Sequence, residues 1–306
     1  MAKSFVKSVK FIPRHPEKWT EYMHIRKSGD EKNVPSYDKI QTAKIIREMG
    51  FRTPEILRIF NDSQKIDFSG LPDKFVLKPS CLFGCRGVML LHRCSDEFKF
   101  WEVMGNRWLT LDMVRDEQSK WQDLWYKNKK QPFHLIVEEM VTGENGIGKI
   151  PFDYRLYTFD GEVRFIIQVD FNAKPPAMIW FLNEFEPFDY ITRLETDWTL
   201  ISQGQHVIPK CHKDIIIAAK KISNNLQTPY ISVHVYASIT HGVIIGELEP
   251  YCGLPYRGKK FRFRPHFDEE LGMAWTQAIN RLGRVRPVLD SDPLLLKKQL
   301  LLNRLI

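Results

Sequence analysis

The chain has 306 residues, 43% of them hydrophobic, a formal net charge of +8 and five cysteines. This length allows one large or two modest domains with a sizeable core, the positive charge suits anionic ligands such as nucleotides or sugar acids, and the odd cysteine count fits a reducing cytoplasm. No apolar run approaches the roughly 20 residues that cross a bilayer, and the basic start lacks the apolar segment of a signal peptide, so we expect no membrane association.

The first fifty residues predict an irregular basic segment followed by a helix. Residues 1–35 are basic and interrupted by prolines, which is typical of a short segment that wraps the body. Residues 36–50 place apolar side chains on one helical stripe. Ser36 or Asp38 can cap the start of this helix, and Gly50 stands where a C-terminal glycine belongs.

Strands and helices then mix without strict βαβ alternation. Helices are predicted at 95–131 from the spacing of tryptophans, at 215–226, and in the leucine-rich tail from Asp292. Residues 56–60 fit a strand or a helix. Short apolar runs predict strands at 75–79, 87–92, 134–140, 155–159, 163–170, 231–236 and 243–248. Because hairpins dominate, we expect an α+β fold rather than a doubly wound sheet.

Lys78 stands on a predicted strand that leads into a loop of small residues ending at Gly87. Polyphosphates need fixed positive charge and free backbone N–H groups, and a strand lysine beside such a loop supplies both. The pattern is weak by itself, because it is not a Walker motif and a lysine before a turn is usually solvated.

Two further groups of polar residues lie at the ends of predicted strands. Glu138 and Glu139 end an apolar strand that leads into a glycine-bearing linker, a natural place for an adenine base between two lobes. Asp153 and Arg155 share one face of their strand because side chains alternate. They can hold a ribose hydroxyl and an anionic oxygen, although an ordinary surface ion pair is the alternative.

Glu247 and Glu249 form the last predicted group. Alternation again places both carboxylates on one face of a strand. Oxygen ligands that project together suit Mg²⁺, which in turn bridges phosphates. A bound cation also explains why two acids that would otherwise repel each other share one face.

In this order the motifs resemble those of the ATP-grasp superfamily, and more closely its branch similar to the teichuronopeptide-biosynthesis (TupA-like) proteins. The resemblance covers roughly residues 36–270. The residues that carry it are Asp38-Lys39, Leu71 to Lys78, Ile136 to Glu139, Asp153 to Arg155 with Gly161, Tyr230 to Tyr236, and Gly246 to Glu249.

The resemblance implies an ATP-grasp fold, in which two α+β lobes clamp ATP and Mg²⁺. Residues 1–72 would form an N-terminal segment and helical region. Residues 73–141 would form a small lobe with a phosphate-covering loop. Residues 142–306 would form a large lobe with the metal site and a C-terminal helix.

The resemblance also implies roles for single residues. Arg155 and Lys78 would act at the reacting phosphoryl group or the substrate anion, with Arg257 as a further substrate-binding candidate. The residues implied to hold ATP are Lys39, Lys78, Ser80, Gly84, Arg86, Gly87, Glu138, Glu139, Val141 and Asp153. The residues implied to hold Mg²⁺ are Glu247, Glu249 and His234.

The strand around His234 departs from the family pattern. The family usually has an aspartate metal ligand in place of His234 and an arginine in place of Ser232, and often an Asn or Thr in place of Glu249. Histidine is a poor ligand for Mg²⁺. Either Glu249 restores the lost charge, or the chain holds one metal fewer, catalyses different chemistry or is inactive.

The leading functional hypothesis is an ADP-forming carboxylate–amine ligase that acts through an acyl phosphate. Its substrates would be an acidic small molecule, such as an amino acid or sugar acid, and an amine acceptor, in cytoplasmic natural-product or surface-polysaccharide biosynthesis. An ATP-grasp kinase and a non-catalytic nucleotide-binding protein are the alternatives.

Two segments bear on possible partners of the chain. Lys259 to Arg264 alternates charged and aromatic residues, and we favour an acidic-substrate site there over nucleic-acid binding. The tail from Asp292 has too many leucines for a lone surface helix. It therefore docks on the body or joins a second copy of the chain in a homodimer.

Overall fold

The computed structural model describes residues 12–31, 34–36, 38–94, 99–129, 131–252, 260–290 and 292. Helices α1 to α6 span Trp19–Ser28, Lys39–Glu48, Leu111–Asn128, Tyr190–Arg193, His212–Leu226 and Pro265–Arg281. Strands β1 to β14 span Ile56–Phe60, Lys74–Pro79, Met89–Arg93, Lys99–Glu102, Arg107–Thr110, Leu135–Glu139, Asp153–Phe159, Glu162–Asp170, Ala177–Leu182, Leu194–Thr196, Ser202–Gln203, Ile231–Ser238, Gly242–Glu249 and Phe261–Phe263. None of the described helices is long and apolar enough to cross a membrane.

The small sheet has six antiparallel strands in the order β1-β6-β2-β3-β4-β5. Alternation along β2 buries Phe75 and Leu77 against Phe100 of β4 and Val114 of α3. Helix α3 therefore covers one face of this sheet. Strand β1 belongs to this sheet as well, although it precedes residue 73 in the chain.

The large sheet has the order β11-β9-β8-β7-β12-β13, and only the short β11–β9 pair is parallel. A tight turn joins β7 to β8 through Asp160 and Gly161, with φ angles of 47° and 81°. A side chain at Gly161 would also overlap Asn224 of α5. The turn thus requires a glycine both for its backbone conformation and for its packing against α5. The remaining strands, β10 and β14, pair with each other.

The two faces of the large sheet are covered differently. Helix α5 covers one face through a core that includes Ile222 and Val233. Helices α1 and α6 cover only part of the other face, where Trp19 and Trp275 pack with Tyr157 of β7. Of the described residues further along that face, Asp153 and Arg155 of β7 line a cavity, so the large sheet forms the floor of a cleft there.

Arg26 fixes α1 against the large sheet. Its guanidinium is 1% exposed and makes two hydrogen bonds of 2.7 Å to Glu31. It also donates to the backbone oxygens of Tyr230 and Pro250, at 2.8 and 3.1 Å, and lies 4.6 Å from the ring centre of Trp275. A buried guanidinium is costly unless its donors are satisfied, so these contacts fix the start of β12 and the end of β13 relative to α1.

The structure confirms the predicted α+β class and most of the predicted elements. The side chain of Asp38 caps α2, and residues 56–60 form a strand. The helix predicted at 95–131 from the tryptophan spacing was wrong in its first part, because Trp101 and Trp108 lie on the paired strands β4 and β5 and face each other. The predicted C-terminal helix lies outside the described residues beyond Asp292.

The contact between α1 and α6 depends on Gly272. A side chain at this position would overlap the backbone oxygen of Glu17, and a backbone yields less readily than a flexible side chain. We expect Gly272→Ala to lower the free energy of unfolding by about 1–3 kcal/mol because of this overlap. The change is expected even though alanine is more favourable than glycine in a helix interior by about 1 kcal/mol. Chemical denaturation measures the change, and Met273→Ala, on the exposed face of the same helix, is the control. Equal stability of the two variants would contradict the expectation.

Candidate functional site

A cavity of about 420 Å³ lies between the small sheet and the uncovered part of the large sheet; we call it the cleft. The small sheet and the segments after β2 and β6 contribute Val76, Lys78, Leu82, Phe83, Gly84, Cys85, Leu90, Glu138, Glu139, Met140 and Val141. The large sheet contributes Asp153, Arg155, His234, Tyr236, Glu247 and Glu249. Charged side chains from both sheets thus meet in one cavity.

Helix α2 connects the two sheets at the cleft. Asp38 caps α2 and accepts a 2.6 Å hydrogen bond from the hydroxyl of Ser80, which follows β2. The Lys39 backbone N–H donates to the Ser80 carbonyl at 3.0 Å. The Lys39 ammonium donates to the carbonyl of Leu82 and lies 3.2 Å from Glu247 Oε1 of β13. The buried Lys39 ammonium therefore contacts both β13 of the large sheet and the loop after β2 of the small sheet.

Lys78 of β2 forms a second buried ion pair. Its Nζ lies 2.6 Å from Oε2 of Glu138, on the neighbouring strand β6. Lys78 is 8% and Glu138 5% exposed. Removing one partner would leave an uncompensated buried charge, which is strongly destabilising.

The floor of the cleft carries a second set of polar groups on β7 and β12. Arg155 Nε donates to Asp153 Oδ2 at 2.8 Å. His234 lies opposite Arg155 in the strand register, with Nδ1 3.7 Å from Asp153 Oδ1 and Nε2 3.5 Å from Glu249 Oε2. Asp153 Oδ1 and His234 Nε2 are buried and have no hydrogen-bond partner among the described residues.

The charges around Arg155 keep it ionised. Burial acts to lower the pKa of its guanidinium, but the carboxylates of Asp153 and Glu249 outweigh burial and raise it. Asp153 also acts on the phenol of Tyr236: burial raises the pKa of this phenol most, and Asp153 and Glu247 raise it further.

A β-bulge in β13 sets the position of Glu247. His234 pairs with Glu247 and Val235 with Ile245, so that Gly246 is the extra residue between them. A side chain at Gly246 would come within 2.6 Å of the Tyr236 ring. The bulge needs a glycine because the tyrosine ring packs against it.

Glu247 is held in its charged form. Burial acts to raise the pKa of its carboxyl, and Lys39, with smaller contributions from His234 and Lys78, brings it down to about 2. The carboxylate is therefore ionised at neutral pH and presents a negative oxygen to the cleft.

The loop after β2 reaches over the cleft through Leu82 to Cys85. Gly84 and Gly87 adopt φ angles of 66° and 69°, which favour glycine. The guanidinium of Arg86 lies 5.0 Å from the ring centre of Phe83. Of the loop residues predicted to hold phosphates, Gly84 lines the cavity.

Three of the other predicted loop residues do not line the cavity. These are Ser80, whose hydroxyl is engaged by Asp38, together with Arg86 and Gly87. Arg257 lies outside the described residues. All the other residues predicted to hold the nucleotide, the metal or the reacting group line the cavity: Lys39, Lys78, Gly84, Glu138, Glu139, Val141, Asp153, Arg155, His234, Glu247 and Glu249. The segment predicted to bind an acidic substrate, Lys259 to Arg264, contributes only Lys260 among its described residues, and Arg262 pairs instead with Glu195.

The residues at the end of β6 form another wall of the cleft. Glu139 accepts a 3.2 Å hydrogen bond from the Glu55 backbone N–H and lies 3.4 Å from Arg52 Nη2. It therefore faces the cleft with its charge partly compensated. Met140 and Val141 follow it and add apolar surface to this wall.

Sequence reasoning missed Tyr236, Met140 and Phe83 as lining residues. For Tyr236 a signal existed, because it alternates with His234 along β12 and so shares its face. Met140 directly follows the predicted pair of glutamates. No sequence signal singled out Phe83, since loop conformation alone decides where its ring lies.

The net charge of the lining decides what the cleft can hold. Its cations are Lys39, Lys78, Arg155 and Lys260, and its carboxylates are Glu138, Glu139, Asp153, Glu247 and Glu249. Four positive charges minus five negative charges leave −1 among the described lining residues, with histidine neutral. A polyphosphate entering this cleft therefore needs an added cation, because the protein charges do not compensate it.

The carboxylates suit a divalent ion whose other ligands come from the phosphates and water. Within the described part of the chain no three metal-binding side chains form a complete group. Mg²⁺ commonly takes one or two protein carboxylates and fills its remaining positions with phosphate oxygens and water. The orphaned atoms Asp153 Oδ1 and His234 Nε2 also indicate that this floor receives a polar ligand.

Comparisons with known proteins give one family and several distant structures. The sequence model of the TupA-like ATP-grasp family matches residues 21–276. No protein with a curated description matches the chain. The D-alanine–D-alanine ligase of Bacillus anthracis with ATP is 12% identical, with 86% of this chain and 66% of that chain covered and a TM-score of 0.42.

Two other solved structures are similar at the same level. The ATP-grasp ligase PsnB with a minimal precursor is 14% identical, with coverage of 83% and 61% and a TM-score of 0.43. The VanG D-Ala:D-Ser ligase of Enterococcus faecalis is 14% identical, with coverage of 80% and 60% and a TM-score of 0.44. The chain spans less than two thirds of the length of each of these proteins.

The packing of Tyr236 on Gly246 gives a testable coupling. We expect Gly246→Ala to destabilise the protein by about 1–3 kcal/mol, because the new methyl group overlaps the ring. In the double variant Gly246→Ala/Tyr236→Ala the ring is absent, and Gly246→Ala should then cause little further loss of stability. The effects of the two substitutions are therefore not additive. Denaturation of both single variants and the double variant measures the coupling. Strict additivity would show that the ring does not constrain the bulge.

Proposed function

The chain belongs to the TupA-like ATP-grasp family, and we propose that it is an ADP-forming ligase that joins a carboxylate to an amine. Membership of the family confirms the ATP-grasp fold predicted from the sequence. The family name implies ATP, and with ATP the Mg²⁺ that accompanies it in phosphoryl transfer.

One observation carries the proposal: two lysines and two glutamates from different elements converge on a single cleft. Lys39 and Lys78 supply fixed positive charge, and Glu247 and Glu249 supply hard oxygen ligands. The cleft has a size typical of small-molecule sites. Its net negative lining supports a metal-bound nucleotide rather than a bare anion.

In the proposed reaction the γ-phosphoryl group of ATP passes to a substrate carboxylate, with ADP as the leaving group, and forms an acyl phosphate. An amine then attacks the acyl carbon and displaces inorganic phosphate to form an amide. Lys39 and Lys78 would hold the phosphates by charge and position. Glu247 and Glu249 would hold Mg²⁺. The loop from Leu82 to Cys85 would keep water away from the activated carboxylate.

The proposed place of the adenine is the wall at the end of β6. Val76, Leu90 and Met140 offer apolar contacts there, and the backbone of Val141 offers polar ones. Lys78, on the neighbouring strand β2, also lines the cavity beside this wall. The arrangement supports the sequence-based proposal that Glu138, Glu139 and Val141 meet the base.

The acidic substrate would bind on the other side of the phosphates. Arg155 and Lys260 are the cations in the cleft that are not engaged with Glu138 or Glu247. They support a carboxylate-bearing substrate such as an amino acid or sugar acid. Several features stay predictions from the sequence. These are the amine acceptor, the role in natural-product or surface-polysaccharide biosynthesis, the domain boundaries, the cytoplasmic location and the homodimer.

The experiment that tests the proposal is a screen for ADP release with MgATP, a panel of amino acids and sugar acids, and a panel of amines. The ligase proposal requires ADP release that depends on both an acid and an amine, with an amide as the product. A stable phosphorylated product formed without an amine would establish a kinase instead. ATP binding without turnover on any pair would favour a non-catalytic nucleotide-binding protein.

Lys78 and Lys74 offer a matched pair of variants on one strand, since Lys78 is buried in the cleft and Lys74 is exposed. We expect Lys78→Met to reduce the rate of ADP release by about 100-fold or more, because a fixed charge at the reacting phosphates is lost. Lys74→Met should retain the full rate. Circular dichroism of both variants checks the fold, and a similar rate for both would place the phosphates elsewhere.

A further inference from the structure

We propose that His234 is itself a metal ligand in the cleft, and that with Glu249 it forms a position that prefers a first-row transition-metal ion over Mg²⁺. The proposal deepens the proposed function and rests on it, because the remaining ligands of the ion would come from the nucleotide. It assigns to this chain a metal preference that oxygen-only sites do not have.

The first support is the orientation of the imidazole. His234 is 5% exposed, and its Nε2 has no hydrogen-bond partner among the described residues. Nε2 lies 3.5 Å from Glu249 Oε2. If an ion lay about 2.1 Å from both atoms, the N–ion–O angle would be roughly 110°, which is within the range of common metal geometries. The distance between the two atoms therefore allows both of them to bind one ion.

The second support is the group on the other side of the ring. Nδ1 lies 3.7 Å from Asp153 Oδ1, a buried oxygen that also has no partner among the described residues. Histidine ligands usually direct their second ring nitrogen at a carboxylate, which fixes the tautomer and the ring orientation. Asp153 would play this part, with its other oxygen held by Arg155 at 2.8 Å. The proton on Nδ1 would then leave the Nε2 lone pair directed at Glu249.

The third support is the chemistry of the donor set. Mg²⁺ prefers carboxylate, phosphate and water oxygens, whereas imidazole favours first-row transition metals. A set of one imidazole, one carboxylate and nucleotide oxygens therefore selects for such an ion. Glu247, whose carboxylate is paired with Lys39, would remain an oxygen ligand suited to Mg²⁺.

The competing arrangement is a protonated His234 that bridges Asp153 and Glu249 as a cation and binds no metal. It fits the same distances. The two arrangements differ in one measurable property, because only a metal-bound imidazole couples its nitrogen to the electron spin of the ion.

The test uses the full chain with Mn²⁺ and ADP, studied by electron spin echo envelope modulation. We expect a ¹⁴N modulation that changes to ¹⁵N when the protein carries ¹⁵N-histidine, a result that needs no variant. His234→Asp should abolish the nitrogen signal, and His92→Gln, which alters a histidine outside the cleft lining, should keep it. Asp153→Asn should weaken Mn²⁺ binding by about 10- to 100-fold.

Binding of Mg²⁺ and Ni²⁺ by isothermal titration calorimetry in the presence of ADP completes the test. The preference for Ni²⁺ over Mg²⁺ should fall by about tenfold or more in His234→Asp, because the imidazole that suits Ni²⁺ is lost. Bound Mn²⁺ without histidine coupling, or an unchanged preference in His234→Asp, would overturn the inference and leave the ligase proposal intact. Failure of the wild-type chain to bind ADP with either metal would instead overturn the nucleotide site itself, and this inference with it.

Discussion

The structure of the cleft depends on the compensation of buried charge by Lys39. This ammonium lies 3.2 Å from Glu247 and also donates to the Leu82 carbonyl, so it contacts the large sheet and the loop between β2 and β3 of the small sheet. Without it, the Glu247 carboxyl would lose the contact that lowers its pKa most, and the loop would lose a contact to α2. A single cation therefore makes the largest contribution to the lowered pKa of Glu247 and joins the two walls of the cleft.

The cleft exists because one face of the large sheet is only partly covered. Helices α1 and α6 pack on the part that carries Tyr157, while Asp153 and Arg155, four and two residues earlier on the same strand, line the cavity. The anchoring of α1 by Arg26 fixes where this cover ends. The same strand thus contributes core residues at one end and polar site residues at the other.

Much of the site could be predicted because β-strand alternation links sequence spacing to direction. Spacing by two placed Asp153 with Arg155 and Glu247 with Glu249, and all four line the cleft. The rule was less useful in the loop after β2, where Ser80 turned to Asp38 and Arg86 to Phe83. Loop side chains follow backbone turns and tertiary partners, for which spacing gives no rule. The helix predicted from Trp101 and Trp108 was wrong for a similar reason, because these residues pair across β4 and β5 despite their helical spacing.

The sequence by itself determined the α+β class, the elements that carry the candidate residues and the family to which they belong. Those features depend on local periodicity, capping and the order of motifs, all of which are written along the chain. Only the tertiary structure decided that Lys39 pairs with Glu247, that Lys78 pairs with Glu138, and that His234 lies between Asp153 and Glu249. Such pairings join distant segments through strand register and a bulge at Gly246, and a difference of one residue in either would direct these side chains into the core.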